Sequence, residues 1–125
     1  MKLVIAGGRD LHIHWSFLDS IIGNVFFWDD DEEISEIVSG GATGIDTAAK
    51  QLAMAYDEEV DYIEFRAEWD KYGKAAGPKR NELMAEYGDA LLLIWDGESR
   101  GSRNMRSNMK RLGKPIYEII IKENQ

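Results

Sequence analysis

A doubly wound α/β domain on a five-stranded, mainly parallel sheet flanked by helices is the fold class this sequence predicts. Three observations predict it. Short apolar, β-branched runs alternate along the chain with amphipathic runs of helical period, the order expected of parallel βαβ units with right-handed crossovers. Glycine-rich turns follow three of the strand-like runs, at the point where a strand gives way to the next segment. A length of 125 residues, 44% hydrophobic and 30% charged with two prolines, gives room for one folded domain over 1–125 and one core.

Lys2 to Ala6 (KLVIA) is an apolar run stopped by Gly7 and Gly8 and reads as a buried first strand. From Trp15 to Trp28 the residues Trp15, Leu18, Ile21, Ile22, Val25 and Phe26 recur at three- and four-residue spacing, which is an amphipathic helix. The run DDDEE at 29–33 repels itself and reads as an exposed connection. Glu36 to Ser39 makes a second strand, and Gly44 to Tyr56 a helix with Ala48, Ala49, Leu52, Ala53 and Tyr56 inward. Val60 to Phe65 alternates into a third strand, and Arg66 to Ala76 reads as a polar loop carrying Trp69 and Tyr72. Pro78, tolerated in a first helical turn, opens a helix to Tyr87 that Gly88 ends. Asp89 to Trp95 is a near-continuous apolar strand of the kind buried on both faces. The loop DGESRGS leads to a helix from about Arg103 to Leu112, closed by Gly113, and Pro115 to Ile121 is the last strand. This order is Rossmann-like, and in such sheets ligands bind beyond the carboxyl ends of the strands where the strand order reverses.

Composition narrows the function classes. Zero cysteines remove disulfides, thiol catalysis and thiolate metal sites together. The longest apolar runs are strand-length, far short of the roughly 20 residues of a membrane span. The start MKLVIAGGRD is charged too soon for a signal peptide, so a cytoplasmic location is expected. A formal charge of −8 disfavours nucleic acid as a partner. Yet residues 77–114 carry eight basic and five acidic side chains, leaving the remainder at −11. Arginines gathered in one segment of an acidic protein suit a small anion.

Three turns carry the chemistry. In the first, Gly7 and Gly8 let the main chain approach a ligand while Arg9 can pair with a phosphate. In the second, Gly40 and Gly41 permit positive φ, Ala42 follows, Thr43 can cap, and the helix from Gly44 aims its N–H groups and dipole at the crevice. Asp46 either bonds backbone there or faces ligand hydroxyls. The spacing is neither GxGxxG nor a P-loop, which disfavours a common dinucleotide dehydrogenase and a nucleoside triphosphatase. The third turn, Asp96, Gly97, Glu98, Ser99, Arg100, Gly101 and Ser102 with Arg103 alongside, repeats the device. Arg80 and Asn81, in GPKRN, can reach the crevice from a helix start. Trp69 and Tyr72 either stack on a base or pack their loop. His12 and His14 do not make a metal-ligand pattern, so no metal and no required cofactor are read.

The motifs VIAGGRD (4–10), VSGGATGIDTAA (38–49), GPKRNELM (77–84) and DALLLIWDGESRGSRNM (89–105) resemble, in order, those of the SLOG superfamily. The likeness is to its YspA and cpYpsA-related branch, with lonely-guy phosphoribohydrolases and DprA/SMF proteins further off. The resemblance implies a Rossmann-like domain that binds a nucleotide or nucleotide-derived ligand, for sensing or sequestering it. It places phosphate on Gly40, Gly41, Gly44, Gly101 and Ser102, with Arg80 as the basic residue. It also implies an alternative, an N-glycosidase acting on nucleoside 5′-monophosphates with Arg80 as a catalytic candidate; Asp96 or Glu98, from the loop after the fourth strand, are the candidates for its carboxylate. The hydrolases' glutamate falls on Asn104, which cannot serve as a base. A DNA-processing accessory role is the third reading, and the exposed helix faces leave room for a homodimer.

Overall fold

The computed structural model describes residues 1–25 and 33–122. In chain order they form β1 (Lys2–Gly7), α1 (Trp15–Val25), β2 (Glu36–Ser39), α2 (Ile45–Tyr56), β3 (Asp61–Glu64), α3 (Trp69–Tyr72), α4 (Ala76–Tyr87), β4 (Ala90–Trp95), α5 (Arg100–Arg111) and β5 (Ile116–Ile120). The strands make one sheet in the order β3-β2-β1-β4-β5. All four pairings are parallel. Phe26 and Trp28, expected in the first helix, and the acidic residues 29–32 lie outside the described residues.

Alternation along each strand sends side chains to two separate cores. Leu3, Ile5, Ile37, Leu92 and Ile94 bury against Leu18 and Ile22 of α1 and Ala48, Ala49 and Leu52 of α2. On the other face Val4, Val38, Leu91, Leu93 and Trp95 meet Met84 and Ala85 of α4 and Met105 and Met109 of α5. Every residue of β4 is therefore buried, which is why its sequence is apolar without a break. From β1 the chain moves outward to β2 and β3, and from β4 outward to β5, so the order reverses between β1 and β4. That seam is unusually close: a Cβ on Gly7 would stand 1.9 Å from the Ile94 carbonyl oxygen.

Among the described residues, three stretches differ from the expected ones by more than a single residue at an end. The stretch 66–76 is not a plain loop, because it holds α3 and a 3-10 turn at Gly73–Ala75. Helix α4 starts at Ala76, two residues before Pro78, which still falls in the first turn where no amide donor is required. Helix α5 starts at Arg100 rather than Arg103, because the Ser99 hydroxyl caps it by accepting the Ser102 N–H.

Candidate functional site

At the β1/β4 seam a cleft of about 790 Å³ opens beyond the carboxyl ends of the strands. The first turn forms one wall. Gly8 N–H continues the sheet by donating to Ile94 O at 3.0 Å, and Gly8 O then accepts the Ile45 N–H at 3.2 Å. Thr43 Oγ1 donates to Arg9 O at 3.2 Å. The first turn thus sits directly on the start of α2. Gly44 makes this fit possible, with φ +73° and no room for a Cβ, which would lie 2.3 Å from Gly8 O.

The second turn is consequently less of an anion cradle than its sequence suggests. Ile45 N–H is taken by Gly8, and Ala42 N–H donates to Asp46 Oδ2 at 3.0 Å. Thr43 bonds outward to Arg9 and makes no cap on α2. Gly41 has φ +72°, but Gly40 does not take the left-handed region. Gly40 is glycine for another reason: Arg80 Nη1 would lie 2.3 Å from a Cβ there. Of this turn only Ala42 and Asp46 line the cleft; Gly40, Gly41, Thr43 and Gly44 do not.

The third turn is the open one. Asp96 Oδ1 accepts the Glu98 and Ser99 amides at 2.8 and 3.0 Å, which holds its carboxyl below the usual range. Ser99 occupies the Ser102 N–H. Among the described residues the Arg100 and Gly101 amides have no protein acceptor, so the start of α5 keeps free donors where a helix dipole favours an anion. Asp96, Glu98, Ser99, Arg100, Gly101 and Ser102 line the cleft with Gly7, Gly8 and Arg9, whereas Gly97, Arg103 and Asn104 do not. Arg103 turns back to the Gly97 carbonyl at 3.5 Å.

Arg80 and Asn81 reach the cleft, but as parts of its frame. Arg80 Nη1 donates to Gly40 O at 2.8 Å and to Phe65 O at 3.5 Å, and Nε donates to Asn81 Oδ1 at 2.9 Å. Burial pushes its guanidinium below its ordinary value, an effect that Asp46 partly offsets. Asn81, 6% exposed, spends its amide on Gly101 O at 3.2 Å and Asn104 Oδ1 at 3.1 Å. Asn108 Nδ2 also donates to Asn104 Oδ1, at 3.3 Å. Asn104 therefore faces an internal amide network.

Ala6, Asp10, Leu11, Met84, Met105, Ile121 and Lys122 also line the cleft, beyond the residues expected from sequence. Ile121 and Lys122 follow from β5 lying beside β4, a fact of strand order with no local signal. Trp69 and Tyr72 stay outside the cleft. Trp69 packs over Gly77, and Tyr72 lies between the Lys71 and Lys79 ammoniums at 5.0 and 4.7 Å. Among the described residues no group of three His, Asp or Glu gathers as a metal site, and His14 Nδ1 bonds Ser16 at 2.8 Å.

Asp46 is the buried carboxylate of the cleft, 8% exposed. Burial raises its pKa above the ordinary 3.8, against smaller opposing pulls from the Ala42 amide, Arg80 and Arg9. The folded state then binds this proton more tightly than the unfolded chain. The contribution to stability is fully present below 3.8 and declines as pH rises through the folded-state value. Asp46→Asn removes that titration and keeps an acceptor for Ala42. Urea midpoints across roughly pH 4 to 8 should show a flatter profile for the variant and equal or greater stability at neutral pH. A variant less stable than wild type at neutral pH would contradict the assignment.

Fold and cleft together define a Rossmann-like α/β domain with a charged cleft at its topological switch point. The chain belongs to the YspA, cpYpsA-related SLOG family, whose family model matches residues 1–72. That match covers the first two turns. The chain is also similar to the Gene 61 protein of Mycobacterium phage D29, 32% identical over 87 residues that cover 66% of this chain and 70% of the phage protein. Among the described residues no helix is long and apolar enough to cross a membrane.

Proposed function

We propose that this domain binds a nucleotide or nucleotide-derived ligand in the β1/β4 cleft, with its phosphate at the start of α5. The observation that carries this reading is the free Arg100 and Gly101 amides beside Arg9, Arg80 and Arg100, none of which forms an ion pair among the described residues. Family membership supports the ligand class. The cleft balances Arg9, Arg80, Arg100 and Lys122 against Asp10, Asp46, Asp96 and Glu98. Such a lining suits a ligand with few phosphates and several hydroxyls better than a bare polyphosphate.

Binding is favoured over cutting because Asp96 is committed to its turn and Asn104 faces inward. Hydrolysis of an N-ribosidic bond remains the second reading, favoured by one observation, the raised pKa of a carboxylate in the cleft at Asp46. Thermal shift against mononucleotides, cyclic nucleotides and ADP-ribose tests the proposal. A true ligand at a hundred times its Kd should raise Tm by on the order of 10 °C. Failure of the whole panel to stabilise the protein sinks it, and free base released from a nucleoside monophosphate promotes the second reading.

A further inference from the structure

We propose that Asp46 is the sugar-reading group of this cleft and makes it selective for ribose over 2-deoxyribose ligands. The inference rests on the nucleotide reading above and deepens it.

A carboxylate is rarely buried without a partner, because removing it from water is costly unless hydrogen bonds replace its hydration. Asp46 is more than nine-tenths buried, and no lysine or arginine lies within ion-pair distance of it among the described residues. An ionised carboxylate has about four acceptor positions. The protein fills one with the Ala42 amide at 3.0 Å and adds a weaker contact from the Gly40 amide. The remaining capacity faces a cleft lined by the same residue.

That capacity accepts and does not donate, so it selects O–H and N–H groups and repels phosphate. The two walls are therefore opposite in kind. At α5 the Arg100 and Gly101 amides offer donors to an anion, and beside α2 the Ala42 and Ile45 amides are taken and the Asp46 side chain offers an acceptor. A ligand with a phosphate at one end and hydroxyls at the other matches both, and neighbouring hydroxyls on one ring edge satisfy a carboxylate with two bonds at once.

Titration calorimetry on the full chain tests this with ribose 5-phosphate against 2-deoxyribose 5-phosphate, and with AMP against dAMP. Wild type should favour the ribo member of a bound pair by about 10-fold, the loss expected for one hydrogen bond to a charged group. Asp46→Asn should weaken ribo binding by about the same factor and leave the deoxy partner within about 2-fold, collapsing the preference. Circular dichroism checks that the variant is folded, and Asp46→Ala gives the same readout should asparagine rebuild the contact. Equal binding of ribo and deoxy probes to wild type, or a preference that survives both substitutions, overturns the inference while leaving nucleotide binding intact. No binding by either pair, together with an empty thermal-shift panel, overturns both.

Discussion

Gly44→Ala should lower stability by about 3 kcal/mol or more, the sum expected for a side chain forced into a glycine-only backbone shape and for hydrogen bonds lost around it. Gly44 has φ +73° and ψ −122°, and its missing Cβ would press on Gly8 O at 2.3 Å and Arg9 O at 2.5 Å. Both obstacles are main chain, so no rotamer change relieves them. Moving the first turn aside breaks the Ile45–Gly8 and Thr43–Arg9 bonds that join it to α2. In urea the midpoint should fall by roughly 2 M. Gly101→Ala provides the contrast: a Cβ there meets nothing within 4 Å, and the residue is helical, so a change within about 0.5 kcal/mol is expected. A Gly44→Ala protein as stable as Gly101→Ala would show that the two turns do not depend on each other.

Arg80→Ala should cost about 2–3 kcal/mol of stability and also abolish ligand-induced stabilisation. The stability loss follows from what Arg80 leaves behind: the Gly40 carbonyl and the buried Asn81 Oδ1 lose their donors. A charged donor to buried oxygens is worth more than a neutral one, and an orphaned acceptor adds its desolvation cost. The binding loss follows from removing positive charge from the cleft. Arg80→Lys separates the two effects, because an ammonium keeps the charge but cannot span three oxygens from one plane. It should retain part of the ligand response while recovering less than half of the lost stability. Wild-type stability in Arg80→Ala, measured by urea unfolding, would remove Arg80 from the frame of the cleft.

The sheet was legible because its signals are local. Strand β4 is buried on both faces and therefore apolar throughout, and α2 repeats alanine and leucine on one side. Helix α3 was not, since four polar and aromatic residues give no period. The start of α5 was hidden because Arg100-Gly101 is a poor helical opening until Ser99 caps it. In the site, the residue types at the three turns were readable, but their inequality was not. Two glycine-rich turns look alike in sequence, and only the contact between Gly8 O and Ile45 N–H, 37 positions apart, takes the leading amide of one helix while that of the other stays free. Nothing near Asn81 in sequence announces that its amide also holds the Gly101 carbonyl and Asn104.

The amide network behind the cleft has an electrical direction. Arg80 can only donate, so it fixes Asn81 with its oxygen toward the guanidinium and its NH₂ toward Asn104. From the other end Arg111 donates to Asn108 Oδ1 at 3.3 Å, which turns the Asn108 NH₂ toward the same atom. Both cations are thus relayed to a single oxygen, Asn104 Oδ1, which receives two N–H groups. Such a socket cannot distinguish an amide oxygen from a carboxylate oxygen, except that it would hold the anion more tightly. Position 104 is therefore polarised for a negative charge yet occupied by a neutral amide, one layer behind the cleft rather than in its lining.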